Sequence, residues 1–365
     1  MNQSQKKKTA AKLDVEAILA VMLLALIVIA VVLAVIMTVS ALTGDQSDDP
    51  NAGKNPPPSN AIFNNGIVPQ MPAANATTQN ANINSKYGII VDIDTGLILA
   101  GKNADTQFEP ASMTKVMSLI VACEKLTEED LGKYITYSEY YKNYDYQGLA
   151  QGIPSSSFET LNDRFLVKDL LYGIGVMSAG DCMLMIAEYT YGSMDAFVAA
   201  MNQKVAALGL TQTHFIDASG NDHVPGNITT AKEMAVIMAY AMQSPLISDI
   251  LSTDWYSFYA YYTEDGVEKS YRRAFKSTLF EYDACIDRSN RMLRYKEAYG
   301  EAFTLLTTDD FMGKTGYLDT PARSYLASAA TGKTSGHRFV VIVGDTDKFA
   351  FTMKDVKDLL DTYAS

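Results

Sequence analysis

The sequence predicts an α+β fold in which two distant parts of the chain complete one sheet. Two short apolar runs, residues 87–92 and 97–100, flank a glycine-containing turn, which is a hairpin pattern. Two further runs, residues 325–330 and 338–343, lie near the C-terminus, and the segments between the two pairs have helical patterns. Strands at both ends with helices between them favour a single unit of about 280 residues that begins near residue 85.

The composition fits a chain with a large buried core. Of the 365 residues, 48% are apolar and 20% are charged, and the formal net charge is −12. An acidic chain is a poor partner for nucleic-acid phosphates, so we expect no nucleic-acid partner. The three cysteines, Cys123, Cys182 and Cys285, and the three histidines have no metal-ligand spacing. We therefore expect no metal, no cofactor and no disulfide framework.

The N-terminal region predicts a membrane anchor. Residues 17–39 carry no charge over 23 positions, and a helix of this length spans roughly 34 Å, enough for a hydrocarbon core of ~30 Å. Lysines precede this segment and aspartates follow it, which places residues 1–16 in the cytoplasm and the chain after residue 42 outside. A signal peptide cleaved near Ala41 is the alternative, but its apolar region is normally only ~7–15 residues long. A retained transmembrane helix over residues 17–39 is the preferred interpretation.

Residues 40–85 predict a disordered linker. The segment is rich in Asn, Pro, Ala and Gly and has neither the helical nor the strand period of a packed element. A wall-associating segment is the alternative, and a solvated spacer is preferred.

The helices predicted between the strand pairs begin with a buried one. Residues 112–126 are apolar with few breaks and follow Pro110, which is typical of a central helix. Residues 169–189, 193–208 and 230–242 also have helical patterns, and the last of these starts with a capping-box sequence. A final helix is expected over residues 352–362, after the second strand pair.

The start of the predicted buried helix carries a candidate nucleophile and base. Ser112 and Lys115 are three residues apart, so both face the same way on the first turn. A serine hydroxyl needs a base to remove its proton, and a lysine held in a low-dielectric site beside other cations can lose its own charge and act as that base. The helix N-terminus adds partial positive charge where the alkoxide develops.

Two later motifs strengthen this interpretation. Ser178 begins a Ser-Ala-Gly sequence, and residues 313–317 read Gly-Lys-Thr-Gly-Tyr. Ser-x-x-Lys, then a Ser-x-Asn-like element, then Lys-Thr-Gly is the ordered signature of penicillin-binding proteins and class A β-lactamases. In this pattern Lys314 keeps the first lysine neutral, Thr315 holds a carboxylate, and Gly316 lets a substrate backbone approach the strand.

With these motifs the chain resembles the low-molecular-weight penicillin-binding proteins. The specific resemblance is to the serine D-alanyl-D-alanine carboxypeptidases of peptidase family S11, and it covers residues 86–363. The phrases around Ser112 and Lys314 carry it, together with residues 170–173, 213–215, 229–231 and 290–293. The resemblance implies a catalytic domain over residues 86–365 with the penicillin-binding protein/β-lactamase-like fold, an antiparallel sheet of about five strands flanked by helices.

The resemblance also implies a role for each motif residue. Ser112 would be the acylated nucleophile, Lys115 its general base, and Ser178 the hydroxyl that relays a proton to the leaving amine. Lys314 would be the electrostatic anchor and Thr315 the contact to the substrate's terminal carboxylate. The implied substrate-binding residues on the Lys-Thr-Gly strand are Lys314, Thr315, Gly316 and Tyr317. The backbone N–H groups of Ser112 and Tyr317 would form the oxyanion hole.

The implied substrate is a peptidoglycan stem peptide ending in D-Ala-D-Ala, and β-lactams are the implied covalent inhibitors. The implied location is the bacterial cell membrane, with a single span and an extracytoplasmic catalytic domain. The N-terminal anchor departs from many relatives, which carry a later β-rich domain and a C-terminal amphipathic anchor.

One departure from the family pattern bears on activity. The second motif usually ends in asparagine, and Gly180 stands there, followed by Asp181. Two alternatives to an active carboxypeptidase therefore remain: an inactive or weakly active wall-binding protein, and a β-lactamase or esterase on the same fold. Residues 219–221 spell Ser-Gly-Asn but lie about forty residues late, so the match is interpreted as coincidence.

Three further side-chain assignments complete the predictions. Asp181 is interpreted as a helix cap or a satisfied core group in preference to a catalytic acid. Lys348, after the last strand, is a candidate for binding the substrate carboxylate. The tyrosines between positions 134 and 146 either line a substrate groove or cover a loop, and the sequence leaves both open.

Overall fold

The computed structural model describes residues 79–145, 162–221, 223–281, 310–319 and 321–364. The predicted cytoplasmic segment 1–16, the predicted transmembrane helix 17–39 and most of the predicted linker lie outside these ranges. Within the described ranges no single helix is long and apolar enough to cross a membrane, although one sharply bent pair, Ala231–Ala241 and Pro245–Ser252, passes that test of length and composition together.

The main sheet has six strands. They are β1 (Gln79–Asn80), β2 (Tyr87–Asp92), β3 (Leu97–Lys102), β8 (Met312–Asp319), β9 (Ala322–Thr331) and β10 (Arg338–Thr346). Their order is β1-β3-β2-β10-β9-β8, and every pair is antiparallel except β1 with β3. The antiparallel part has the five strands that the sequence predicts, and the two-residue β1 is an addition. Because β10 lies between β2 and β9, the two ends of the domain complete one sheet.

A second sheet of four strands was not predicted. It contains β4 (Tyr134–Thr136), β5 (Arg164–Leu166), β6 (Trp255–Glu264) and β7 (Val267–Lys276), in that order. The long β6–β7 hairpin turns at two residues with positive φ, Asp265 at 52° and Gly266 at 77°. Buried and exposed side chains alternate along the middle of β6: Phe258 and Ala260 are buried, while Tyr259 between them is 54% exposed. The sequence does not show this alternation, because Tyr259 is itself aromatic.

Ten described helices surround the sheets. They are α1 (Lys115–Lys125), α2 (Glu128–Leu131), α3 (Glu139–Lys142), α4 (Val167–Tyr172), α5 (Gly180–Tyr191), α6 (Met194–Ala207), α7 (Ala231–Ala241), α8 (Pro245–Ser252), α9 (Thr278–Glu281) and α10 (Phe349–Tyr363). A 3₁₀ turn, Ala111–Thr114, leads into α1, and a π-helical segment, Gly173–Met177, follows α4. The first nine residues of α1 are all buried, as expected of a central helix.

The main sheet separates two hydrophobic cores. On strand β2, Ile89 and Val91 belong to the larger core while Ile90 between them belongs to the smaller one. Strand β10 alternates in the same way, because successive side chains of a strand point to opposite faces. Helices α1 and α7 lie in the larger core, and α10 contributes to the smaller one. The site is therefore built on a sheet that is covered on both faces.

The predicted starts of helices α6 and α7, at Ser193 and Thr230, are confirmed. Ser193 and Thr230 each accept a hydrogen bond from the backbone N–H three residues on, as N-cap residues do. The carboxylate of Glu233 has a different role from the one expected in a capping box. It is buried and accepts from the backbone N–H groups of Thr211 and Gln212 and from the hydroxyl of Thr213. Glu233 thus holds residues 211–213, which lead into the loop 217–221.

The predicted single helix 169–189 is wrong, since the chain there is broken into three parts. Helix α4 ends at Tyr172, the π-helical segment follows, and α5 begins only at Gly180. Glycine allows this close packing. A Cβ on Gly175 would overlap Ile250 of α8, and a Cβ on Gly173 would overlap the sulfur of Cys182. The break places Ser178 in a bend between helices instead of on a helix face.

The last residues of the predicted linker are packed against α10. The buried carboxylate of Asp355 accepts from the backbone N–H groups of Asn84 and Ser85 at 2.8 and 2.6 Å, and from the Ser85 hydroxyl at 2.6 Å. The Asn84 side-chain amide donates to the same carboxylate. Asp355 therefore fastens the chain entering β2 to the C-terminal helix.

Candidate active site

Ser112 lies in the 3₁₀ turn that precedes the central helix. The residue before it, Ala111, has φ of 49°, a left-handed conformation that is costly for a residue with a Cβ. Strand β8 packs closely on this turn, because a Cβ on Gly316 would lie 3.0 Å from the carbonyl oxygen of Pro110 and 3.2 Å from the Cβ of Ala111. Strained backbone is retained where the surrounding structure fixes it, and such positions cluster at functional sites.

Lys115 contacts Ser112 as the spacing predicts. Its Nζ lies 3.0 Å from the Ser112 Oγ and 2.6 Å from the carbonyl oxygen of Ser219. Lys115 is fully buried, and this burial lowers its pKa to about 8, while the negative charge of Asp217 acts in the opposite direction. With this pKa about a tenth of the Lys115 amine is neutral at pH 7, and the neutral amine is the state that can accept the serine proton.

Lys314 supplies a second buried amine on strand β8. Its side chain is fully buried, and its Nζ donates to the carbonyl oxygen of Thr315 at 3.0 Å. Burial lowers the pKa of Lys314 well below its usual range, and the charge of Lys115 lowers it further. Because two buried ammonium groups repel each other, the pair favours a state with fewer than two protons. The lowered pKa of Lys115 is caused by its burial, and the predicted effect of Lys314 on Lys115 stays a prediction.

The other residues of the Lys-Thr-Gly motif also belong to β8, which is an edge strand of the main sheet. Thr315 is buried, and its hydroxyl lies 2.7 Å from the hydroxyl of Thr278 at the start of α9. Tyr317 is 44% exposed. Among the described residues, β8 pairs with β9 on one side only, so the other edge of this strand has backbone groups available to an extended peptide.

Ser178 lies at the bend after the π-helical segment. Its φ and ψ are 64° and 30°, the left-handed region, and its side chain is half-buried. The preceding segment packs on α1, since a Cβ on Gly175 would lie 3.4 Å from Leu119. Its hydroxyl forms no hydrogen bond with another described residue. π-Helical segments and strained residues are each frequent at functional sites.

Gly180 and Asp181 begin helix α5. Both are buried, so the position that is asparagine in the family pattern has no side-chain amide here. Asp181 Oδ1 accepts from the backbone N–H of Cys182 at 2.8 Å, which is consistent with its interpretation as a structural acid. Cys182 and Cys123 are buried free thiols whose pKa values are raised by burial, while Cys285 lies outside the described residues. Burial therefore disfavours the thiolate, the nucleophilic form, at both positions.

The loop 217–221 is part of the site, a role that the sequence did not predict. Besides the contact from the Ser219 carbonyl to Lys115, Gly220 lies against the turn that carries the nucleophile. A Cβ on Gly220 would overlap the carbonyl oxygen of Ala111, and φ of Gly220 is 69°. The Ser-Gly-Asn spelling does not make this loop the family's second motif. Its contribution comes from a backbone carbonyl and a glycine.

Two polar side chains hold this loop in place. The carboxylate of Asp217 accepts from the backbone N–H groups of Ser219 and Asn221 and from the Ser219 hydroxyl. The amide of Asn227 donates to the Asp217 carbonyl at 2.9 Å and to the Thr114 hydroxyl at 3.2 Å. Asn227 therefore ties the start of the loop to the turn that carries Ser112, and Asp217 holds the loop itself together. The sequence analysis missed Asp217, Gly220 and Asn227.

The remaining predicted side chains form none of the hydrogen bonds described above, although the charge of Asp217 contributes, after burial, to raising the pKa of Tyr144. Lys348 is exposed and immediately precedes α10. Tyr137 is buried, whereas Tyr140 and Tyr144 are exposed and stack edge to face, and Tyr146 lies outside the described residues. In the described ranges no three His, Cys, Asp or Glu side chains are grouped so as to hold a metal ion.

The fold and this geometry define a class of protein. An α+β domain with a serine and a buried lysine at the start of its central helix, and a second buried lysine on the edge strand, has the penicillin-binding protein-like fold. The chain belongs to the peptidase S11 family of D-alanyl-D-alanine carboxypeptidases, whose family model matches residues 74–277, more than half of the chain. The Lys-Thr-Gly strand follows the matched segment.

Curated relatives agree with this family. The D-alanyl-D-alanine carboxypeptidase DacF of Bacillus subtilis is 29% identical over 51% of this chain and 45% of its own length. DacC of Escherichia coli is 31% identical over 47% of this chain and 42% of its own length. The chain thus spans less than half of the length of these two relatives. DacB2 of Mycobacterium tuberculosis is 27% identical over 69% of this chain and 72% of its own length.

Solved structures share the fold. A mutant of the Streptomyces K15 DD-transpeptidase superposes with a TM-score of 0.60 at 22% identity, covering 77% of this chain and 97% of that protein. The D-alanyl-D-alanine carboxypeptidase of Mycobacterium tuberculosis superposes with a TM-score of 0.53 at 21% identity, covering 81% and 96% of the two chains.

Proposed function

We propose that this protein is a serine-type D-alanyl-D-alanine carboxypeptidase that trims peptidoglycan stem peptides through an acyl-enzyme on Ser112. The observation that carries the proposal is the 3.0 Å contact between the Lys115 amine and the Ser112 hydroxyl in a site that buries the lysine fully. Membership of the S11 family supports the same activity.

The reaction begins with proton transfer from Ser112 to neutral Lys115. The Ser112 oxygen then attacks the carbonyl carbon between the two terminal D-alanines, and the negative charge passes to the carbonyl oxygen. Backbone N–H groups of Ser112 and Tyr317 stabilise that oxygen, because a charge held by fixed dipoles in a dry site needs no solvent rearrangement. The Ser178 hydroxyl relays a proton to the departing D-alanine amine. Water then hydrolyses the ester and restores Ser112.

The substrate's terminal carboxylate binds at strand β8. The Thr315 hydroxyl donates to it, and Thr278, 2.7 Å from that hydroxyl, keeps the Thr315 side chain oriented. Lys314 beneath the strand contributes positive charge whenever it is protonated. The extended peptide adds to the free edge of β8 through backbone hydrogen bonds.

β-Lactams acylate the same serine in this proposal, since their ring carbonyl occupies the place of the scissile amide. Gly180 removes the amide that the family pattern places beside the base lysine. In its place, the Ser219 carbonyl fixes the Lys115 amine at 2.6 Å. A positioned lysine is thus retained although the asparagine is absent.

The location proposed for the domain is outside the bacterial cell membrane. The uncharged segment 17–39, with lysines before it and aspartates after it, supports a single span with the catalytic domain on the extracytoplasmic side. The polar segment that follows is long enough to let the domain reach the wall.

The test is release of D-alanine from diacetyl-L-Lys-D-Ala-D-Ala by the full chain purified in detergent. We expect release by the parent protein and none by Ser112→Ala. Absence of release by the parent, with benzylpenicillin neither bound nor hydrolysed, would instead support a wall-binding protein without turnover. Rapid hydrolysis of benzylpenicillin without D-alanine release would support a β-lactamase.

A further inference from the structure

A pocket lies next to the nucleophile, on the side away from the Lys-Thr end of strand β8. Its lining includes Ala111, which precedes Ser112, Gly220 of the active-site loop and Leu318 of β8. Two polar side chains, Glu109 and Asn221, also line it. Neither polar side chain has a role in the proposed acyl transfer, so both are available to bind another part of the substrate.

The direction of β8 shows which part of a substrate reaches this pocket. In the proposed function the terminal carboxylate lies at Thr315 and the scissile carbonyl at the Tyr317 N–H. A peptide paired with β8 therefore continues past Tyr317 toward Leu318, in steps of about 3.3 Å per residue. The part that arrives there is the acyl donor, on the N-terminal side of the penultimate D-alanine. In a stem peptide this neighbouring residue is a diamino acid.

The pocket is suited to a cation. Among its described lining residues Glu109 is the only charged one. Its half-buried carboxylate forms no ion pair or hydrogen bond with a described residue. Asn221 is 8% exposed; its Oδ1 accepts from the backbone N–H of His223 at 3.0 Å, and its Nδ2 forms no hydrogen bond with a described residue. An ammonium beside Glu109 would form a charge-assisted hydrogen bond in a partly desolvated site.

We propose that this pocket binds the free side-chain ammonium of the substrate's diamino acid, with Glu109 as its counter-charge and the determinant of this specificity. The inference rests on the proposed function and names the substrate class more closely: stem peptides whose diamino acid is not yet acylated. An acylated amine has no charge for Glu109 to neutralise, so cross-linked stems are the poorer substrates.

Two peptides test the inference: Nα-acetyl-L-Lys-D-Ala-D-Ala, which has a free side-chain amine, and its Nα,Nε-diacetyl form. For the full chain in detergent we expect kcat/KM to favour the free amine by about tenfold, the size of one hydrogen bond to a charged group. In Glu109→Gln that ratio should fall to near one. The matched control Glu128→Gln changes an exposed acid at the start of α2 and should keep the parent ratio.

A binding measurement tests the proposed role of the pocket even if the protein does not hydrolyse either peptide. In Ser112→Ala, calorimetry should give a Kd about tenfold lower for the free-amine peptide than for the diacetyl peptide, and adding Glu109→Gln should remove the difference. Equal affinity for both peptides, or a ratio unchanged by Glu109→Gln, would overturn the inference while leaving the carboxypeptidase proposal standing. D-alanine release from neither peptide, with the binding preference intact, would overturn the carboxypeptidase proposal alone.

Discussion

The Nζ of Lys115 contacts the Ser112 hydroxyl and the Ser219 carbonyl at the same time, at 3.0 and 2.6 Å. The backbone carbonyl fixes the amine from one side, so the other side faces the nucleophile. Asp217 orients this carbonyl through its bonds to Ser219 and is also the acid whose charge acts on Lys115. A loop 104 residues away in sequence thereby fixes the position of the proposed base, and its acid Asp217 opposes the larger lowering of the Lys115 pKa by burial.

The pH dependence of acylation follows from Lys115. Its pKa is lowered to about 8, and the base is active when neutral, so the second-order rate of acylation by benzylpenicillin should rise with pH to a plateau above about 8. Burial is the main cause of the lowered pKa of Lys115, and the negative charge of Asp217 raises that pKa in opposition. The neighbouring buried lysine, Lys314, has its own pKa lowered by burial and by the charge of Lys115. Asp217→Asn removes the negative charge, so the rising limb should move to lower pH.

Stopped-flow acylation between pH 5.5 and 9.5 measures this shift. The amide introduced by Asp217→Asn keeps one acceptor oxygen for the loop, so a change in the plateau alone would report loop disruption. A rising limb at the same pH in both proteins would contradict the assigned effect of Asp217 on Lys115.

Gly220 should be intolerant of a side chain. Alanine there would overlap the Ala111 carbonyl and adopt a left-handed φ of 69°, whereas Gly336→Ala has nearly the same φ, 68°, with no atom within 4 Å of the added carbon. Gly336→Ala should lower the free energy of unfolding by about 1–2 kcal/mol and leave acylation unchanged. Gly220→Ala should lose more stability and at least about tenfold in acylation rate, because the nucleophile turn must shift. Equal effects of the two substitutions in urea unfolding and acylation would contradict this account.

Ser178 has a strained left-handed backbone conformation, and we expect its hydroxyl to be needed for proton relay. Its left-handed conformation suits glycine, so Ser178→Gly should be more stable than Ser178→Ala by about 1 kcal/mol. Both variants lack the hydroxyl that relays the proton, and both should lose D-alanine release by about 100-fold. Thermal unfolding and peptide hydrolysis measured on the same preparations check the pair. Full activity in either variant would remove Ser178 from the mechanism.

Replacing Asp355 should lower the free energy of unfolding more than replacing Asp358 on the same helix. Asp355→Ala leaves the buried Ser85 hydroxyl and two backbone N–H groups without their acceptor, so the free energy of unfolding should fall by about 3 kcal/mol. Asp358→Ala removes only a surface ion pair with Lys354 on the same helix and should cost about 0.5 kcal/mol or less. Urea unfolding monitored by circular dichroism distinguishes them, and equal losses would show that the Asp355 contacts do not stabilise the fold.

The motif residues could be located from the sequence because their contacts are local or follow from strand geometry. Ser112 and Lys115 meet because three residues separate them at a helix start. The two hairpins could be predicted because alternating apolar runs flanked by turn residues favour them. The start of α7 at Thr230 could also be predicted, since N-capping depends on residues within one turn.

The contacts that were missed depend on tertiary structure. A backbone carbonyl such as that of Ser219 has no sequence signature, and the role of Gly220 arises only when two distant turns pack together. The helix predicted over 169–189 was broken because Gly173 and Gly175 allow close packing against Cys182 and α8, which outweighs helical propensity. Strand β6 has exposed aromatics on one face, so its period of two was not recognised.

Acylation of Ser112 is tested most directly by intact mass. The full chain in detergent is incubated with benzylpenicillin beside Ser112→Ala, and the drug remaining in solution is quantified in parallel. We predict a single adduct on the parent protein, located by peptide mapping to the segment containing Ser112, and none on Ser112→Ala. The same adduct on Ser112→Ala, or an unmodified parent with all of the drug intact, would contradict the assignment of Ser112 as the nucleophile activated by Lys115.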